Sequence, residues 1–184
     1  MNRRDILKYT ALVTGAAVSA PLASALLSSC QSGIAADDID YELKFFDEEQ
    51  FALVRQLVDV ILPKTDSPSA SEVKVHQMID QFLGEVHVKE EQDNYRTAFS
   101  KFSQYLKADD FMKQEVAEQQ KRLLQVDDAE EGVRKTFMNF KQTTIAYYLT
   151  TEEIGTNYLN YLPIPGEYQG CISLEEVGGK AWAL

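Results

Sequence analysis

His76 has a glutamate four residues before it, Glu72, and an aspartate four residues after it, Asp80. Residues four apart share a helix face, so the three could offer an imidazole nitrogen and two carboxylates to a divalent metal. The helical wheel spreads them over about 80°, on the flank of an apolar stripe, where such a triplet reads as a solvated polar edge. The Glu-x-x-His spacing of helical di-iron bundles does not occur. The second histidine, His87, has no nameable partner, and the acidic pairs Asp127-Asp128 and Glu130-Glu131 read as helix caps and flanks. We therefore expect no catalytic, cofactor-binding or metal-ligating residue in this chain.

Other chemistries lack their motifs as well. Cys30 and Cys171 are too few and too far apart for a C-x-x-C-H haem attachment, a thiolate zinc site or an iron–sulfur cluster. There is no G-x-G-x-x-G turn, no G-x-S-x-G elbow and no H-E-x-x-H. Gly178-Gly179-Lys180-Ala181 lacks the hydroxyl residue and the following helix of a phosphate loop.

The N-terminus carries a different kind of signal. Met1-Asn2-Arg3-Arg4-Asp5-Ile6-Leu7-Lys8 resembles a twin-arginine export leader, with Arg3 and Arg4 as the arginine pair. No charge follows until Asp37, and the stretch ends Leu26-Leu27-Ser28-Ser29-Cys30, which resembles a lipobox. Cleavage would leave Cys30 as an acylated N-terminus, giving a periplasmic, membrane-anchored lipoprotein. The alternative is a retained anchor over residues 9–29, a poor span because Pro21 and four serines interrupt it. The twin-arginine route carries folded proteins, so one physical reason to use it is to export a cofactor-bearing partner that has no signal of its own.

Lys and Arg number 18 against 29 Asp and Glu, a net charge of −11, and the leader holds three of the basic residues. Such an acidic chain repels phosphate backbones, which excludes a nucleic-acid partner. Its 184 residues allow one domain and a tail, and a domain of this size buries about two-thirds of its unfolded surface without needing a staple.

The elements are helical throughout. Residues 1–29 read as the leader, 30–46 as a tether ending in an apolar docking segment, 47–161 as the helical domain and 162–184 as an arm. Asp47 with Gln50 predicts a capping box, and Phe51, Val54, Leu57, Val58 and Ile61 recur at helical spacing until Pro63. A second helix is expected from Ser71-Glu72, with Val75, Met78, Ile79 and Phe82 inward and Gly84 as its stop. A third runs from about Glu90 to Leu106, a fourth from Asp109-Asp110 to about Val126, and a fifth from about Ala129 to Leu149. A capping box of Thr150 with Glu153 opens a short last helix towards Tyr161. The expected fold is an all-α bundle of about five to six helices with an irregular arm. In that arm Pro163, Pro165 and Gly166 mix with Tyr168, Cys171 and Trp182, too rich in Pro and Gly for a helix and too apolar for a free tail. It either wraps its own bundle or also covers a partner through Pro163, Pro165, Tyr168 and Trp182.

Two stretches resemble a known family. One is Leu57-Val58-Asp59-Val60-Ile61-Leu62-Pro63, with a following helix that ends Ile79-Asp80-Gln81-Phe82-Leu83. The other is Tyr147-Tyr148-Leu149-Thr150-Thr151-Glu152-Glu153-Ile154-Gly155, followed by Tyr161-Leu162-Pro163-Ile164-Pro165-Gly166-Glu167-Tyr168. With the twin-arginine leader they resemble the gluconate 2-dehydrogenase subunit 3 family. The resemblance implies a small helical subunit without flavin, associated with export and assembly of a large FAD-dependent oxidoreductase of the glucose–methanol–choline type. A c-type cytochrome is often the electron acceptor of such complexes. They oxidise gluconate or related sugars and alcohols on the periplasmic side of a membrane. A free-standing periplasmic interaction lipoprotein and an enzyme in its own right are the other classes that the residues leave open.

Overall fold

A computed structural model describes residues 41–183 apart from Pro165, Tyr168 and Gln169. The described residues hold seven helices and no strand, an all-α bundle. These are α1 (Glu48–Ile61), α2 (Val75–Glu85), α3 (Lys89–Leu106), α4 (Ala108–Met112), α5 (Val116–Leu124), α6 (Glu131–Thr150) and α7 (Glu152–Asn157), with a 3-10 turn over Gln125–Asp128. None of them is long and apolar enough to cross a membrane.

α1 begins as its sequence dictates. The Asp47 side chain accepts from the Gln50 N–H at 2.8 Å, closing the capping box, and Phe51, Val54, Leu57 and Val58 are buried. Pro63 cannot donate and pushes the residue before it out of helix, so Leu62 leaves the helical region at φ −129°, ψ 79°. α3 and α6 pack alongside one another. Their Phe102 and Phe137 rings stack at 5.7 Å, and Phe99 joins Phe140 at 6.4 Å. The segment before α1 closes the core, with Phe45 and Phe46 buried against Tyr95 and Phe99. Burial of each such aromatic contributes about 1.5–3 kcal/mol. Packing at the same place holds the Tyr95 hydroxyl in its protonated form, because burial raises its pKa.

Several boundaries differ from the sequence reading, each for a local reason. α2 starts at Val75, about a turn later than Ser71-Glu72. The Asp59 carboxylate captures the Ser71 N–H at 2.8 Å and its hydroxyl at 2.7 Å, and Lys74 is left-handed, with φ 61°. Gly84 lies inside α2 and does not stop it. A Cβ there would lie 2.6 Å from the Lys44 Cβ and 2.9 Å from the Lys44 carbonyl, so glycine serves close passage of another chain segment. The inward stripe is Val75, His76, Ile79, Asp80 and Leu83, while Phe82 is exposed.

The expected fourth helix is broken into α4, α5 and the 3-10 turn, which brings the count to seven. At the break the buried Gln119 side chain donates to the Phe111 carbonyl at 2.8 Å, which also accepts the Gln114 N–H at 3.1 Å, so the end of α4 is tied to α5. The last helix starts at Glu152, with Thr151 as its N-cap residue, and ends at Asn157, short of Tyr161. No capping box forms, because the Thr150 hydroxyl turns back to the Tyr147 carbonyl at 2.9 Å.

Candidate functional site

The triplet around His76 does not form a metal centre, and it is not a solvated edge either. His76 and Asp80 are buried, at 1% and 0% exposure, because the segment Tyr41–Phe46 lies across their face of α2. Asp80 Oδ1 accepts from the N–H groups of Phe45 (3.0 Å) and Phe46 (2.8 Å). Its Oδ2 accepts from the Lys44 N–H (2.7 Å) and the Tyr41 hydroxyl (3.0 Å). Four donors occupy the lone pairs that a metal would need. Glu72 turns away to Lys64 at 2.6 Å and to the Ser69 N–H, and the Lys64 hydrogen bond foremost holds its carboxyl below the usual range. No cluster of three potential metal ligands occurs among the described residues. His87 lies 3.5 Å from Glu91 and edge-on to Phe82. The role of Asp80 was missed because nothing local in the sequence says which helix face receives Tyr41–Phe46.

The C-terminal arm is the second candidate. Arg3, Arg4 and Cys30 lie outside the described residues, as do Pro165 and Tyr168 of the four arm positions. Pro163 and Trp182 are described, and both are exposed. Beyond Ile154 no described residue enters the buried core. Ile164 is 85% exposed, Leu174 68%, Tyr161 55% and Trp182 51%.

This apolar surface is nonetheless held in shape. Asn160 donates its backbone N–H to the Ala181 carbonyl at 2.7 Å and accepts from the Ala183 N–H at 2.9 Å, forming an isolated parallel bridge beside Trp182. Its side-chain amide donates to the carbonyls of Val177 and Lys180, both at 2.8 Å. Lys180 Nζ donates to the Asn157 carbonyl, and Gly178 and Gly179, both with positive φ, make the turn that brings these carbonyls round. The bridge places Trp182 beside Asn160, three residues before Pro163. Sequence reasoning missed Asn160, whose spacing from its carbonyl partners follows no local motif.

Where the arm meets the bundle there is a pocket of about 330 Å³, walled by Leu149, Thr150, Thr151, Glu152, Gly155, Thr156, Tyr161 and Ala183. A separate apolar groove between α1, α5 and α6 is lined by Leu123, Leu124, Phe137 and Met138, and carries Asp127 and Lys141.

The sequence model described as gluconate 2-dehydrogenase subunit 3 matches residues 48–166, which takes in all seven helices and the start of the arm. No curated protein and no solved structure matches. Nearly two-thirds of the chain lies within the matched span, and the chain belongs to the gluconate 2-dehydrogenase subunit 3 family.

Proposed function

We propose that this protein is the non-catalytic small subunit of a periplasmic dehydrogenase complex, serving the export and assembly of a large FAD-dependent subunit of the glucose–methanol–choline type. The FAD belongs to that partner, and a c-type cytochrome accepts its electrons. The twin-arginine leader at Arg3-Arg4 carries the pair across the membrane, and acylation of Cys30 holds it there. A single thioether-linked lipid binds weakly, but two or more chains anchor firmly.

The observation that carries this reading is the arm. A family member whose last part exposes Ile164, Leu174 and Trp182, with a network around Asn160 holding the chain on either side of Trp182, has a surface suited to burial against another protein. The test is export of the pair. With Arg3 and Arg4 both changed to Lys, the dehydrogenase subunit should remain in the cytoplasm with this chain. Normal periplasmic dehydrogenase in that strain would refute shared export.

A further inference from the structure

We propose that the pocket at the junction of α6, α7 and the arm receives a single lysine or arginine side chain from the partner protein; this rests on the proposed role as a subunit. The argument is the chemistry of the wall. Thr150, Thr151 and Thr156 each spend their hydroxyl proton on a backbone carbonyl three or four residues back, those of Tyr147, Tyr148 and Glu152, at 2.7–2.9 Å. What remains on these oxygens is acceptor capacity. Glu152 adds a carboxylate that makes no ion pair among the described residues, and of the lining side chains only Tyr161 keeps a proton to donate.

The longer of the two helices at the pocket agrees in sign, while the uncapped first turn of the six-residue α7 opposes it and carries Glu152 and Glu153 against that opposition. The pocket opens at the C-terminal end of the 20-residue α6, the negative end of its dipole, and the last turn of that helix contains no basic residue. The neighbouring lysine of this chain, Lys180, is committed to the Asn157 carbonyl. Leu149, Ala183 and the Tyr161 ring supply apolar cover for the methylene stem of a long cationic side chain. The charge pattern also selects the class of partner. From Glu152 onward five glutamates face one engaged lysine, so a second copy of this chain or an anionic lipid surface would be repelled.

Gly155 makes the test clean. It lies in the wall, it is helical, and a Cβ on it would meet nothing within 4 Å, so a larger side chain there fills the pocket and not the core. Two measurements on the full chain decide the matter. In the first, amide signals of Thr151 and Gly155 are followed while N-acetyl-arginine methylamide, its citrulline analogue or N-acetyl-glutamate methylamide is added. Only the arginine compound should shift them, and Gly155→Leu should abolish the shift; an equal response to citrulline, or a response to glutamate, overturns the proposal. In the second, affinity for the large dehydrogenase subunit is measured for wild type, Glu152→Gln and Gly155→Leu, with melting temperature alongside. Each variant should bind at least tenfold more weakly while melting normally. Should Gly155→Leu melt early, Glu152→Gln alone decides, and wild-type affinity in it overturns the proposal. If wild type itself fails to bind while the arginine probe still does, the subunit reading falls and the cation pocket stands.

Discussion

Asp80 Oδ1 accepts the backbone N–H of Phe46 at 2.8 Å, and this bond ties the segment ahead of α1 to the inner face of α2. Three further donors, from Tyr41, Lys44 and Phe45, complete the set around the same carboxylate. A buried carboxylate is costly unless its lone pairs are filled, and here they are filled mainly by backbone that would otherwise be orphaned at a chain crossing.

Asp80→Ala should therefore be among the most damaging substitutions outside the aromatic core. It strands buried N–H groups at about 1–3 kcal/mol each, so a loss of at least about 3 kcal/mol is expected in urea unfolding. A loss below about 1 kcal/mol would mean that Tyr41–Phe46 is held by its aromatics alone.

Gly84→Ala sets two effects against each other. Helix propensity favours alanine by about 1 kcal/mol, but the new methyl would lie 2.6 Å from the Lys44 Cβ. The contact is with the root of a side chain and its backbone, which cannot swing away, so the overpacking cost of about 1–3 kcal/mol should win. Urea unfolding checks the sign, and a stabilised variant would contradict it.

Tyr95 gives a pH dependence. Burial raises its folded pKa above the ordinary 10.0, so the protonated form is favoured by folding. Its contribution is fully present below pH 10.0 and is lost as pH climbs beyond that value. Tyr95→Phe should flatten the fall of melting temperature on the alkaline side, leaving neutral stability nearly unchanged. The same slope in both proteins would assign the alkaline loss to other groups.

Trp182→Ala separates a docking arm from a core-sealing one. Trp182 is half exposed, so its removal should leave the melting temperature nearly unchanged. An aromatic anchor lost at an interface costs about 2 kcal/mol, roughly thirtyfold in affinity for the dehydrogenase subunit. A large drop in melting temperature, or undiminished binding, would count against the docking role.

Much of the bundle was legible because the signals were local. The Asp47–Gln50 box, the Phe51–Val54–Leu57–Val58 stripe and the Pro63 stop act within one or two turns, and each appears where the sequence placed it. The misread positions depend on a distant partner. Gly84 looks like a helix stop until Lys44 is seen crossing it, and Ser71 looks like a helix start until Asp59 takes its N–H. His76 and Asp80 looked like a wet edge because the segment that covers them lies more than thirty residues upstream. At the arm, composition revealed an apolar, irregular surface. It could not reveal Asn160, whose four hydrogen bonds reach seventeen or more residues along the chain.

The crossing of Lys44 over Gly84 also bears on where the folding unit begins. The family match opens at residue 48, so a recombinant chain cut to that boundary would look complete by sequence criteria. It would lack the α1 cap at Asp47, two core phenylalanines and every donor that Asp80 accepts from, leaving an unfilled carboxylate beneath a newly opened face. Such a truncation should be molten or aggregated by near-UV circular dichroism and light scattering, whereas one starting at Tyr41 should give a sharp thermal transition. The smallest autonomous unit is therefore longer at its N-terminal side than the span that marks its ancestry, and equal behaviour of the two truncations would disprove this.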